Sequence, residues 1–250
     1  MTEREVKKVQ RRIPWRLPFE SKYSHFRVTI SEKDEGNMSF RYGSVEEVTV
    51  NRQRWFQTLG LRDQGVFPLS LDVTYGVHWL EKAPTFNGVS NPGFGSEGVW
   101  LANPSKALFL IVADCFPVAF YDPEAPVIGV FHAGRAELQA GLLTDFLRLG
   151  VEHGVSSRSL VVFIGPGVCE RHYHFRQLPA NNTLPVRPDQ DGFHLDLSAA
   201  IYSTLAEFGI SSEQVQRDNR CTFESRELFS HRREKGLPEG RFALIARSYG

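Results

Sequence analysis

The chain has 250 residues, with 29 basic side chains against 29 acidic ones and a formal net charge of zero, so no long-range field draws it to nucleic acid or to an anionic membrane. Hydrophobic residues make up 41% and charged residues 23%, the balance of a globular domain rather than of a disordered or fibrous chain. No apolar run approaches the roughly 20 residues of a membrane-spanning helix, and no apolar segment follows the N-terminal basic residues, so neither an anchor nor a secretory signal is expected.

Arg4, Lys7, Lys8, Arg11, Arg12 and Arg16 mark residues 1–20 as a flexible basic leader, and residues 21–250 read as one domain without a linker or repeat. Residues 50–59 predict a short helix ended by Gly60. Residues 81–104, rich in Gly, Pro, Asn and Ser, read as loop with one short strand near Val99. Strands are predicted over 108–112, 118–121 and 127–131, the last two separated by Asp122-Pro123 and Ala125-Pro126. Leu138, Leu142, Phe146 and Leu149 recur at helical spacing, which predicts a helix over 135–149 stopped by Gly150. A strand over 161–164 runs into Gly165-Pro166-Gly167. Leu197, Ile201, Leu205 and Phe208 mark a further helix, capped by Asp196 and ended by Gly209, before a closing strand over 242–246. The elements interleave without a βαβ rhythm, which predicts an α+β fold of mixed sheets flanked by helices.

Cys115 and His132 each follow an apolar run, 107–113 and 127–131, and a strand–turn–strand return between them can bring both side chains to one edge. With His78 they offer a thiolate and two imidazoles, a donor set that suits tetrahedral zinc with a fourth position open to water or substrate. Without metal the same residues can serve as a Cys–His nucleophile pair, or simply as a buried thiol and satisfied imidazoles. Spacing alone leaves these readings open. Asp114, next to Cys115 on an extended chain, is expected to point the other way, as a structural acceptor or an orienting acid. The three cysteines are an odd number without a Cys-x-x-Cys pair, so Cys169 and Cys221 are expected as packed thiols in a reducing cytoplasm. His172 and His174 form a His-x-His that would share a face on a strand, and Arg232, Arg233 and Arg241 gather near the C-terminus as a solvated face or an anion site.

Several segments occur together in one order: Val77-His78, Ala113-Asp114-Cys115-Phe116-Pro117-Val118, His132-Ala133-Gly134, Ile164-Gly165-Pro166-Gly167 with Tyr173, and Cys221-Thr222 followed by Phe229-Ser230-His231-Arg232-Arg233 and Gly240-Arg241. They resemble, in turn, the Q-V-H-G, A-D-C-x-P-V, H-A-G-W-R-G, I-G-P and C-T…F-S-x-R-R…G-R motifs of the YfiH-like, or laccase-domain, family, whose members are also described as multifunctional purine nucleoside phosphorylases. Asn51-Arg52 matches a recurrent N-R ahead of that family's first helix, and the likeness runs from about residue 24 to residue 247.

The resemblance implies a metal site, usually zinc, on His78, Cys115 and His132, with the same three residues catalytic. It implies substrate contacts at Asn51, Arg52, Arg135, Arg232 and Arg233, and purine nucleoside and phosphate as the molecules bound. The implied reactions are phosphorolysis of adenosine, inosine or methylthioadenosine, and adenosine deamination. Copper-linked polyphenol oxidation, a cysteine hydrolase of the kind that edits cell-wall peptides, and a metal-binding protein without turnover are the alternatives. Eight histidines with one His-x-His, and Met1 and Met38 alone as axial candidates, are a poor basis for a multicopper centre. The chain departs from the family around the implied ligands. Arg135-Ala136-Glu137 stands for Trp-Arg-Gly, Gly76 and Trp79 flank His78 in place of Gln and Gly, and Ser96-Glu97 replaces Thr-Asp. Metal binding is expected to survive these changes, and substrate choice to be altered by them.

Overall fold

A computed structural model describes residues 25–71, 76–90, 93–235 and 239–248; the expected basic leader lies outside the described residues. The first strand, β1 (Phe26–Ile30), is followed by helix α1 (Val45–Thr58), then β2 (Val66–Ser70), β3 (Val77–Leu80), β4 (Phe94–Gly95), β5 (Gly98–Ala102) and β6 (Ala107–Val112). β7 (Phe116–Asp122) and β8 (Val127–Ala133) lead into α2 (Arg135–Gln139), α3 (Leu142–Glu152) and β9 (Val161–Ile164). The chain closes with β10 (His174–Phe175), β11 (Val186–Asp189), β12 (Gly192–Leu195), α4 (Leu197–Glu207), β13 (Val215–Arg217), the single turn α5 (His231–Glu234) and β14 (Phe242–Ser248). The fold is α+β with mixed sheets.

A five-stranded sheet in the order β1-β14-β6-β2-β4 and a six-stranded sheet in the order β13-β9-β7-β8-β5-β3 pack face to face. Their shared core takes alternate residues of each strand: Phe26, Val28 and Ile30 from β1, Leu108 and Leu110 from β6, Val99 and Leu101 from β5, Ile128 and Val130 from β8. The outer face of the six-stranded sheet carries α2, α3 and α4 over Trp100, Phe120 and Phe131. The outer face of the other carries α1, whose Trp55 and Phe56 meet Phe109. Four layers result, helix–sheet–sheet–helix. The third sheet, β10-β12-β11, stands apart from this sandwich as a small antiparallel flap.

Two helices depart from their sequence pattern for local reasons. α1 begins at Val45, ahead of the expected residue 50, because Ser44 caps it by accepting from the Glu47 N–H at 3.1 Å and Glu46 and Glu47 lie in the positive first turn. The run predicted over 135–149 breaks at Gly141, whose φ of 77° no helix interior tolerates, and then continues through Gly150 to Glu152. Gly150 is therefore a packing position. A methyl group there would lie 2.9 Å from Cε2 of Trp100, a ring stacked on Phe146 and bonded through Nε1 to the Phe146 carbonyl at 2.8 Å. Gly150→Ala gains about 1 kcal/mol of helix propensity but overpacks a rigid indole at about 1–3 kcal/mol. The variant is expected to be less stable, read as a lower urea midpoint at unchanged slope.

Candidate active site

β7 and β8 pair antiparallel with Pro117 opposite His132, so Cys115, just ahead of β7, is delivered beside the end of β8. The turn that delivers it is set by Asp114. This residue adopts φ 73°, a left-handed conformation uncommon outside glycine. Its carboxylate holds it there, accepting from Thr222 Oγ1 at 2.6 Å and from the Arg232 N–H at 2.7 Å, while its carbonyl accepts from the Val168 N–H at 2.8 Å. Asp114 is thus a buried structural acceptor that ties three segments behind Cys115. Gly134 completes the convergence. A methyl group there would fall 2.3 Å from Glu137 Oε2, 3.0 Å from Cys115 Sγ and 3.2 Å from His132 Cε1, so three reactive side chains meet where only glycine fits.

Both implied histidine ligands are held by their Nδ1 atoms. His132 Nδ1 lies 2.8 Å from Oε2 of Glu97, a carboxylate only 2% exposed. An ionised carboxylate accepts only, so His132 carries its proton on Nδ1. His78 Nδ1 lies 2.9 Å from Ser96 Oγ, whose own proton goes to the Gly98 carbonyl at 2.7 Å. His78 must therefore donate to Ser96, again through Nδ1. In the neutral form that a metal binds, each ring would present its Nε2 lone pair, the arrangement by which metal-bound histidines are oriented. The Ser96-Glu97 pair that departs from Thr-Asp in the resemblance keeps one hydroxyl and one carboxylate, and so keeps this function. It supplies two residues that strand pattern and spacing did not single out as working parts. Burial opposes the charged form of His132, yet Cys115, Glu97 and Glu137 together raise its pKa well above the ordinary value.

His78 pairs with Val99, and Val99 with Val130, so His78 and His132 rise from the same face of the six-stranded sheet with β5 between them. The donor atoms that approach within 4.8 Å of one another around His132 are those of Glu97 and Glu137; His78, Cys115 and His132 do not form such a group. Cys115 and His132 sit in a cleft of about 280 Å³ beyond the ends of β2 and β6, lined also by Arg41, Tyr42, Arg52 and Arg241. The Arg241 guanidinium lies 3.7 Å from the Tyr42 ring centre. The sequence pattern carried no signal for Arg41 or Tyr42 as cleft residues.

The five expected substrate residues divide into two groups. Arg135 opens α2 directly after Gly134, and the backbone N–H of Arg232 is bound by Asp114, next to Cys115. Arg232 bonds the His174 carbonyl at 2.8 Å and lies over the rings of Tyr173 and Phe175 at 4.7 and 4.9 Å. Burial, then Cys115 and Asp114, push the Tyr173 hydroxyl up to about 12 against the opposing pull of Arg135 and Arg232. The other three are held by the backbone. Asn51 donates to the Asn37 carbonyl at 3.0 Å, and Arg233 donates to the carbonyls of Thr222, Phe223 and Ser225 at 2.6, 3.0 and 2.9 Å. Arg52, 1% exposed, bonds the Met38 carbonyl through Nε and Nη2 and the Gly88 carbonyl through Nη1. His172 and His174 do not share a face. His172 ends the turn Glu170–His172 while His174 opens β10 and tilts against His194 with ring centres 5.0 Å apart.

Glu97→Gln keeps the hydrogen bond to His132 and removes the charge that makes its ring a better ligand. Metal affinity is expected to fall about 10-fold or more with the far-ultraviolet dichroism unchanged, measured by competition with a chelating dye.

A helix–sheet–sheet–helix sandwich with a cysteine and a carboxylate-tethered histidine at the foot of an arginine-bearing cleft defines a class of proteins equipped for metal or thiol chemistry. Within that class, the family described as multi-copper polyphenol oxidoreductase laccase matches residues 26–247, and the chain belongs to it. Among its relatives, purine nucleoside phosphorylase Rv2149c of Mycobacterium tuberculosis is 34% identical over 156 residues, 60% of this chain and 61% of the relative. Purine nucleoside phosphorylase YlmD of Bacillus subtilis is 30% identical over 152 residues, 56% of this chain and 55% of the relative. The chain thus aligns with about three fifths of the length of these curated relatives. The fold is that of YlmD from Geobacillus stearothermophilus, with a TM-score of 0.81, 23% identity, and 91% of this chain and 93% of that one covered. It is also that of the hypothetical protein YfiH of Bacillus licheniformis, with a TM-score of 0.79, 20% identity and 93% and 94% covered. No helix among the described residues is long and apolar enough to cross a membrane.

Proposed function

We propose that the chain is a metal-dependent enzyme of purine nucleosides, with zinc held by Nε2 of His78, Sγ of Cys115 and Nε2 of His132, donors that do not all lie within 4.8 Å of one another here and would draw together on the ion. The observation that carries the reading is the pair of histidines whose Nδ1 atoms are tethered by Ser96 and Glu97, the second-sphere bonding that orients metal-binding imidazoles. The names of the relatives point the same way for the substrate. A bound zinc ion would supply Lewis acidity at an oxygen in the cleft.

The chain's own residues account for the rest. Phosphorolysis forms a bond from a phosphate oxygen to the anomeric carbon as the bond from that carbon to the purine nitrogen breaks, and the departing electron pair must be met by a proton. Arg135 and Arg232 are the cations beside Cys115 that can hold phosphate, and arginine's forked donors suit it. Tyr173, kept protonated by burial and its anionic neighbours, is a hydroxyl donor at the same place. Arg41 and Arg241 line the cleft itself together with Cys115 and His132, and a ring can lie there near Tyr42. Adenosine deamination would use the same cleft with water in place of phosphate.

The test is product analysis by mass spectrometry after incubation with adenosine, inosine and methylthioadenosine, with and without phosphate. Free base and sugar 1-phosphate that appear only with phosphate are expected; their absence from all three substrates would overturn phosphorolysis. A second reading is favoured by one observation. Cys115, His132 and Glu97 stand in the order of a thiol, base and orienting acid, the arrangement of a cysteine hydrolase. Metal-free protein that is rapidly and selectively alkylated at Cys115 and still cleaves an amide substrate would favour it.

A further inference from the structure

A second group of metal-binding side chains lies behind the candidate site, built from two short turns. Cys169 caps the turn Glu170–His172 and His172 ends it, giving Cys-x-x-His. Cys221 opens another, in which its carbonyl accepts from the N–H groups of Glu224 at 3.1 Å and Ser225 at 2.8 Å, giving Cys-x-x-Glu. A parallel bridge between Gly167 and Cys221, with the Thr222 N–H donating to the Gly167 carbonyl at 3.0 Å, sets the turns side by side. One donor atom from each of Cys169, His172, Cys221 and Glu224 lies within 4.8 Å of all the others.

Two features point to a cation among them. The first is spacing. Zinc–sulfur bonds near 2.3 Å and zinc–nitrogen or –oxygen bonds near 2.0–2.1 Å, set at tetrahedral angles, place ligand atoms about 3.3–3.8 Å apart. Around His172 Nδ1 the separations are 3.2 Å to Cys169 Sγ, 3.8 Å to Cys221 Sγ and 3.5 Å to Glu224 Oε1. The second is an excess of partners. One imidazole nitrogen takes part in one hydrogen bond, yet two sulfurs and a carboxylate oxygen converge on it. A central divalent ion satisfies all four groups together. The Cys169 N–H also donates to Cys221 Sγ at 3.2 Å, which ties the two turns together. Arg171 bonds the same oxygen of Glu224 at 2.7 Å, but its side chain is 72% exposed and free to turn to solvent.

We propose that Cys169, His172, Cys221 and Glu224 form a second, structural zinc site. Four protein ligands close the coordination sphere, which is the pattern of a structural ion and leaves no position for substrate. Its effect would reach the cleft through the chain: Cys221 is followed by Thr222, which bonds Asp114 beside Cys115, and His172 is followed by Tyr173. The ion would clamp the two loops whose Val168 and Thr222 bond Asp114, the residue that sets the turn at Cys115.

The test uses the full chain, purified under reducing conditions, with Cys115→Ala to remove the other candidate metal. That variant is expected to retain about one equivalent of zinc by elemental mass spectrometry. Adding Cys169→Ser and Cys221→Ser should bring zinc below about a tenth of an equivalent. Because that double change can unfold the loops, Glu224→Gln is measured alongside; it should stay folded and bind zinc more weakly. Zinc added to metal-free Cys115→Ala protein at a hundredfold excess over Kd is expected to raise the thermal midpoint by about 5–10 °C. Reduced Cys115→Ala protein that binds no zinc, or zinc content unchanged by the two serine substitutions, overturns the proposal.

Discussion

Cys115→Ala is expected to abolish nucleoside turnover, by about 1,000-fold or more, while leaving the protein folded. Cys115 is the thiolate of the proposed His78–Cys115–His132 set, and two histidines alone hold zinc weakly. The substitution removes one sulfur atom from a half-buried position, at a cost of about 1–2 kcal/mol against a total stability of roughly 5–15 kcal/mol. The turn is held by Asp114, with its bonds to Thr222, Arg232 and Val168, and not by the thiol, so the backbone has no cause to move. Steady-state turnover and the urea midpoint, measured on the same preparation, separate loss of chemistry from loss of fold. Equal turnover in the variant and the parent would place the chemistry elsewhere. Arg135→Ala is the matching control: it is expected to raise KM for phosphate and leave metal content unchanged.

Arg52→Ala is expected to lower stability by about 3–5 kcal/mol, the largest effect on folding proposed for a single side chain here. The guanidinium is wholly enclosed, with the Phe40 and Phe109 rings 4.2 and 5.0 Å from its centre. Its removal strands the carbonyls of Met38 and Gly88 and opens a cavity beneath α1. Burial pushes its pKa down to about 9, so the side chain still carries its charge at neutral pH. Arg52→Lys would keep that charge but lose the fork that reaches both carbonyls, and is expected to recover less than half of the loss. Chemical denaturation measures both. If Arg52→Ala left the urea midpoint unchanged and raised KM, Arg52 would be a substrate residue, as the resemblance implies.

The elements that were legible in the sequence are those whose burial repeats locally. β6, β7, β8, β9 and β14 are apolar along nearly their whole length because they are covered on both faces, and such runs stand out in any window. α4 announced itself by Asp196 at its cap, whose carboxylate accepts from the Ala199 N–H at 2.9 Å, and by apolar residues at helical spacing. β1 to β4 and β10 to β13 were missed. β3 is a half-buried edge strand of four residues, and β2 contains Pro68, which argues against a strand on local chemistry. The break at Gly141 and the continuation through Gly150 were read the wrong way round, since a glycine by its letter alone stands equally for a helix end or a close contact with Trp100.

At the candidate site, strand ends and motif order were enough to single out His78, Cys115 and His132. Which nitrogen of each ring is open, and that Ser96 and Glu97 decide it, depends on hydrogen bonds 18 and 35 residues apart. The gathering of Cys169 with Cys221 spans 52 residues, and nothing in either local pattern distinguishes them from packed thiols. Hydrophobic periodicity and turn chemistry act between near neighbours in the chain, so the amino-acid order alone was sufficient for the strands buried on both faces, the α+β class and the residues most apt for chemistry. Tautomers, the inward turn of Arg52 and the four-fold grouping behind the cleft are properties of side chains brought together from distant segments, and only the packing of two sheets and their loops selects among the partners available to each.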